Sequence, residues 1–232
     1  MFAAINAFLT GGPNSTYAGS FNGSNQYLSV AKNAAFEPSA AQPWTVEAWV
    51  YITSFTNASQ IFAYTNAAVT VGADIGTYMF VNATTGTITG GMYNGVNSYV
   101  VTSSAGLPLN AWVHCALVSS GSAITIYVNG LSVGSTSTAL APNVPASATL
   151  KIGYFDSISL RYMTGQISNF RFVKGTAVYT AAFTPPVAPL TAVTNTSLLT
   201  LQNATIVDNS TNAFTITNNG TVVTSVQYPF AL

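Results

Sequence analysis

The chain has 232 residues, 49% hydrophobic and 12% aromatic, enough apolar material for the core of one large domain or two small ones. Only 4% are charged, five basic and five acidic, for a net charge of zero, against about 25% in an ordinary soluble domain. That scarcity excludes the basic surface on which nucleic-acid affinity rests, and it leaves few groups for acid–base chemistry. It also removes the repulsion that keeps free proteins apart, which favours a chain that works inside an assembly.

Residues 1–17 read as an N-terminal arm. Met1 to Leu9 is apolar but has neither a basic flank nor a long hydrophobic run, so it is a poor secretory signal. Met1, Phe2, Ile5, Phe8 and Leu9 are candidates for a docking surface, either on their own domain or on a neighbouring subunit. From residue 18 the pattern has a period of two, in short β-branched and aromatic runs separated by Gly, Asn, Pro and Ser.

Strands are predicted over 26–30, 44–52, 60–64, 77–82, 87–93, 98–102, 112–119, 123–129, 132–136, 148–153, 165–173, 197–202, 214–217 and 221–226, with no helix of ordinary length. So many runs exceed one open sheet, and two packed sheets are expected. Asn129-Gly130, between Ile124–Asn129 and Leu131–Gly134, predicts a type I′ hairpin turn, because both residues tolerate positive φ.

Phe183-Thr-Pro-Pro-Val-Ala-Pro-Leu190 cannot continue a central strand; it is either a linker or a segment strapped across the outside of a domain. Residues 191–232 hold too little core to stand alone. They are expected to pack back, giving a single domain over 18–232 in which 183–232 crosses over to complete the fold.

The single Cys115 can form no internal disulfide, which suits a reducing cytoplasm, and it reads as a small buried hydrophobe. No run reaches the roughly 18 apolar residues a bilayer span needs, so no membrane partner is expected. A glycosidase needs two carboxylates flanking the bond. Glu37 and Glu47 stand far apart in sequence with no acidic cluster, so no enzyme is expected and Glu47 is assigned a structural hydrogen bond.

His114 has no catalytic or metal-ligand grouping near it and reads as a satisfied, partly buried imidazole. Arg171 is expected to pair locally. Asp74, Asp156 and Asp208 are isolated, whereas calcium takes six to eight oxygens, so neither a metal nor another cofactor is expected. Tyr93, Asn94, Asn97 and Tyr99 form a candidate glycan-contact loop of ring faces and amides; the plainer reading is a hairpin loop with no ligand.

Phe21-Asn-Gly-Ser-Asn-Gln-Tyr-Leu28, Trp44-Thr-Val-Glu-Ala-Trp-Val50, Trp112-Val-His-Cys-Ala-Leu-Val118, Ile124-Thr-Ile-Tyr-Val-Asn-Gly130, Leu150-Lys-Ile-Gly153 and Gly165-Gln-Ile-Ser-Asn-Phe-Arg-Phe172 follow the order of laminin-G-like, concanavalin A-like domains. The resemblance implies an all-β, two-sheet antiparallel jelly-roll sandwich. Asn22 and Gln26 stand where those relatives often carry acidic residues, which weakens a calcium site. Ser197 to Val226 resembles the strands that usually open such a domain, so the termini are expected close together, as circular permutation requires.

Val173 to Pro186, with Thr196–Leu199 and Asp208–Ile216, resembles the version found in virion proteins of marine tailed phages. That implies a non-enzymatic structural protein, made in the host cytoplasm, that decorates or cements the capsid surface. Its partners would be other virion proteins and copies of itself. The alternative is a tail-fibre or receptor-binding lectin-like module that recognises host cell-surface glycan. The fold alone does not choose between them.

Overall fold

The computed structural model describes residues 17–66, 72–138, 140–156 and 161–230. In chain order the strands are β1 (Ala18–Asn22), β2 (Tyr27–Ala31), β3 (Trp44–Ile52), β4 (Ser59–Thr65), β5 (Ile75–Val81), β6 (Thr87–Tyr93), β7 (Ser98–Gly106), β8 (Trp112–Ser119) and β9 (Ala123–Val128). They continue as β10 (Leu131–Ser137), β11 (Thr149–Ile152), β12 (Tyr154–Phe155), β13 (Arg161–Tyr162), β14 (Thr164–Lys174), β15 (Thr196–Thr200), β16 (Thr217–Asn219) and β17 (Val223–Ser225). One sheet has eight strands in the order β10, β9, β8, β3, β14, β1, β17, with β15 also on β14; the other has seven in the order β16, β2, β11, β4, β5, β6, β7. Strands β12 and β13 form a separate ribbon. The two large sheets pack into the antiparallel sandwich that the alternation predicts.

Alternation is the cause of the packing. Val46, Ala48, Val50 and Ile52 of β3 and Val113, Cys115 and Leu117 of β8 turn one way. They share a single apolar cluster with Leu28, Val30, Phe62, Tyr64, Met79, Leu150 and Ile152 of the other sheet. Cys115 is fully buried there, and burial pushes its thiol well above the usual range. The hairpin turn has positive φ at both Asn129 and Gly130, as its sequence predicts. Glycine is obligatory at the second position for another reason too, since a side chain at Gly130 would strike the carbonyl oxygen of Phe183.

The Pro-rich segment runs as a strap across the eight-stranded sheet, and the chain beyond it feeds both sheets. Strand β15 pairs with β14, β16 with β2 and β17 with β1. A bulge at Asn169 (φ 54°) anchors both the strap and the tail. Its side-chain oxygen accepts from Leu190 N at 2.8 Å and from Gln202 Nε2 at 2.6 Å, and its own N–H donates to the Leu201 carbonyl at 3.1 Å.

Four elements differ from the sequence expectation, two of them the ribbon strands β12 and β13, which no predicted run covers. Ala18-Gly-Ser-Phe-Asn22 has little β-propensity of its own, yet forms β1 because β14 and β17 flank it. The strand expected over 214–217 begins only at Thr217. Phe214 packs its ring 5.3 Å from that of Phe36 and donates its N–H to Asp208 Oδ2 at 2.8 Å, so its backbone is not free for a ladder.

Candidate functional site

On the outer face of the eight-stranded sheet, opposite the core residues, stand Glu47 of β3, His114 of β8 and Arg171 of β14. Glu47 Oε1 accepts from Arg171 Nε at 2.9 Å and Nη2 at 2.5 Å. Its Oε2 lies 3.0 Å from His114 Nε2 and accepts from the Tyr179 hydroxyl at 2.7 Å. Arg171 Nη1 donates to the Thr191 carbonyl at 2.7 Å, so the network ties β3, β8 and β14 to the strap. The strap covers it: Tyr179 and Phe183 stack at 3.6 Å and pack against Ala116, Val118 and Tyr127.

Glu47 thus has the structural bonds expected of it. The partner of Arg171 is not local, because antiparallel pairing of β14 with β3 sets Arg171 opposite Glu47. His114 is fully buried rather than partly so, and its Nδ1 has no hydrogen-bond partner among the described residues. A carboxylate beside an imidazole resembles an acid–base pair, but these side chains are sealed from solvent.

Burial opposes ionisation of Glu47, yet the His114 hydrogen bond and the Arg171 charge outweigh it and hold the carboxyl below its ordinary 4.5. A depressed folded-state pKa stabilises the fold above the unfolded value and loses that contribution as pH falls through the folded value. The melting temperature is therefore expected to drop progressively below about pH 4.5, and this component of the drop should be missing in Glu47→Gln. An identical acid transition in the variant would contradict the assignment.

The outer face of the seven-stranded sheet is different. Leu28, Leu150, Ile152, Phe62, Met79 and Val81 face the core, so alternation sends Tyr27, Lys151, Ala63, Tyr78 and Phe80 to the opposite side. The β12–β13 ribbon contacts β4 at this sheet. Tyr154 and Tyr162 stack with ring centroids 4.5 Å apart, and Tyr27 lies 4.6 Å from Tyr154. Arg161 Cζ sits 3.9 Å from the Phe80 ring centroid and 5.3 Å from that of Phe155. Tyr78 stacks beside Phe80 at 6.1 Å.

The charges here are sparse and unequal. Lys151 Nζ donates to Thr65 Oγ1 at 3.0 Å and to the Asn66 carbonyl at 2.6 Å. Burial pulls its pKa down to about 8, against the opposing pull of Asp156. Tyr154 is raised by burial first, then by its neighbours Tyr162 and Asp156. Arg161 has no hydrogen-bond or ion-pair partner among the described residues.

None of these face residues was a sequence candidate. The available signal was Tyr154-Phe-Asp156 and Arg161-Tyr162, rings interleaved with charges between two strands.

The structure separates the loop candidates. Tyr93 pairs with Ser98 and Met92 with Tyr99, so Tyr93 turns to the outer face while Tyr99 rests on the core. Asn94 Oδ1 accepts from the backbone of Val96 at 2.9 Å and Asn97 at 2.7 Å, which spends its carbonyl on the turn; Asn97 is exposed. Asn22 Oδ1 is likewise used by its own turn, accepting from Ser24 N and Asn25 N. The docking-arm candidates Met1, Phe2, Ile5, Phe8 and Leu9 lie outside the described residues.

Residues 22–181 match the laminin-G-type family model of the concanavalin A-like lectin/glucanases superfamily, and the chain belongs to that superfamily. No curated protein matches it in sequence. Among solved structures it is similar to the native heptameric SAP-like pentraxin of Limulus polyphemus, with TM-score 0.60 and 17% identity over 94% of this chain and 98% of that one. It is also similar to a proposed carbohydrate-binding protein of Bacteroides ovatus, with TM-score 0.58 and 19% identity over 90% of this chain. The chain spans 62% of that protein's length. A third likeness is to the CBM40 of the Ruminococcus gnavus IT-sialidase, with TM-score 0.50 and 12% identity over 61% of this chain and 80% of that one. At such identities the likeness establishes the fold.

Proposed function

We propose that this chain is a non-catalytic, lectin-like module that binds carbohydrate on the outer face of its seven-stranded sheet. The observation that carries the reading is the pair of half-buried rings Tyr27 and Tyr162, held by stacking on the buried Tyr154, with half-buried Tyr78 and buried Phe80 beyond. The C–H faces of a sugar are apolar and shed water onto an aromatic ring, while its hydroxyls remain free at the edge for hydrogen bonds. Rings already held by mutual stacking lose little freedom when a ligand arrives. The Bacteroides and Ruminococcus structures support the reading by what they are named for. Against catalysis stands the burial of Glu47 and His114 beneath the strap.

The setting belongs to the same proposal. The resemblance of Val173 to Pro186 supports a phage virion, with this module displayed on the particle and host cell-surface glycan as its ligand. Capsid decoration is the second reading, in which Met1, Phe2, Ile5, Phe8 and Leu9 dock on other virion proteins or on a second copy. It is supported by the charge-poor composition and by Val223 and Val226, which are 54% and 71% exposed at the sheet edge.

Glycan binding by the full chain tests the leading reading. Tyr162→Ala is expected to weaken affinity about tenfold, the order of 1–1.5 kcal/mol that one aromatic contact contributes. Asn97→Ala should leave affinity unchanged. The reverse ranking would move the site to the Tyr93–Tyr99 loop.

A further inference from the structure

We infer that the glycan taken by this face carries an acidic group, a carboxylate or a sulfate, and that Arg161 is the residue that reads it. This rests on the carbohydrate reading above. The chain has five Lys and Arg residues, and four of them are engaged with oxygen partners. Arg171 meets Glu47 and the Thr191 carbonyl; Lys151 meets Thr65 and the Asn66 carbonyl. Lys174 donates to the Ala34 carbonyl, and Lys32 to those of Pro145 and Ala146. Arg161 alone has none among the described residues, although it is positioned by Phe80 and Phe155.

A guanidinium held over a ring keeps its in-plane N–H donors available, and the ring restricts the side-chain freedom that binding would otherwise remove. Those donors match a carboxylate or sulfate in parallel pairs, whereas a sugar hydroxyl offers a single oxygen. No hydrogen bond or ion pair joins Asp156 to Arg161 among the described residues, and Asp156 instead acts on Tyr27, Tyr154 and Lys151. The face thus divides into a tyrosine stack that receives the body of the sugar and, beside it, a cation with no counter-ion among the described residues.

The test is a glycan array carrying carboxylated, sulfated and neutral members, probed with the full chain and with Arg161→Gln and Arg161→Lys. Acidic glycans should dominate the signal. Arg161→Gln should weaken them at least about tenfold, the scale of one charge-assisted contact. Arg161→Lys, which keeps the charge but loses the fork, should fall between. Thermal melts of both variants control for folding. Raising NaCl from about 0.05 M to 0.5 M should weaken wild-type binding, an independent readout that needs no variant. Neutral glycans bound as well as acidic ones, without salt dependence and with Arg161→Gln unchanged, would overturn the inference and leave the carbohydrate reading standing. Binding to no glycan would overturn both.

Discussion

Glu47→Ala is expected to cost about 3–5 kcal/mol of stability, the range for breaking a buried ion pair by removing one partner. The loss is large because three groups are orphaned together. Arg171, only 5% exposed, keeps one carbonyl contact, while the His114 ring and the Tyr179 hydroxyl lose Glu47 altogether. A domain is stable by about 5–15 kcal/mol in all, so the variant should unfold at a visibly lower denaturant concentration. Replacing Glu47, His114 and Arg171 together by apolar residues of similar volume should recover much of the loss, since no unpaired charge then remains. A change below about 1 kcal/mol in the single variant would show that the network does not hold the strap.

A chain ending at residue 190 should not unfold cooperatively. The deletion removes β15, β16 and β17 and therefore strips strands from both sheets. It also removes Leu198, Leu199, Leu201 and Val222, all buried, whose burial contributes about 1.5–3 kcal/mol each. Their sum, about 6–12 kcal/mol, is comparable to the whole stability of a domain. Asn169 would lose Leu201 and Gln202 as partners, and Phe36 would lose the ring of Phe214. Calorimetry on the truncated chain checks this. A melting temperature equal to that of the full chain would contradict it.

The sandwich was legible in the sequence because its information is local. Alternation along Trp44–Ile52 or Trp112–Ser119 declares a buried face whatever lies across from it, and Asn129-Gly130 names its own turn. The Glu47 network was not legible, since its partners lie 67, 124 and 132 residues away and only the register of β3 with β8 and β14 aligns them. The aromatic face has the same character. Tyr27, Phe80, Tyr154, Arg161 and Tyr162 come from four different strands, and neighbours in space that are distant in sequence leave no periodic signal. Tyr93 and Tyr99 flank one turn in sequence, yet the hairpin register places them on opposite faces of their sheet.

If the outer face of the seven-stranded sheet is the proposed ligand surface, a crystal structure of the full chain with a bound oligosaccharide will show it. A sugar ring resting on Tyr27 or Tyr162, with an acidic substituent against Arg161, is the expected result. A sugar bound instead at the Asn94–Asn97 turn, with the aromatic face empty, would contradict it.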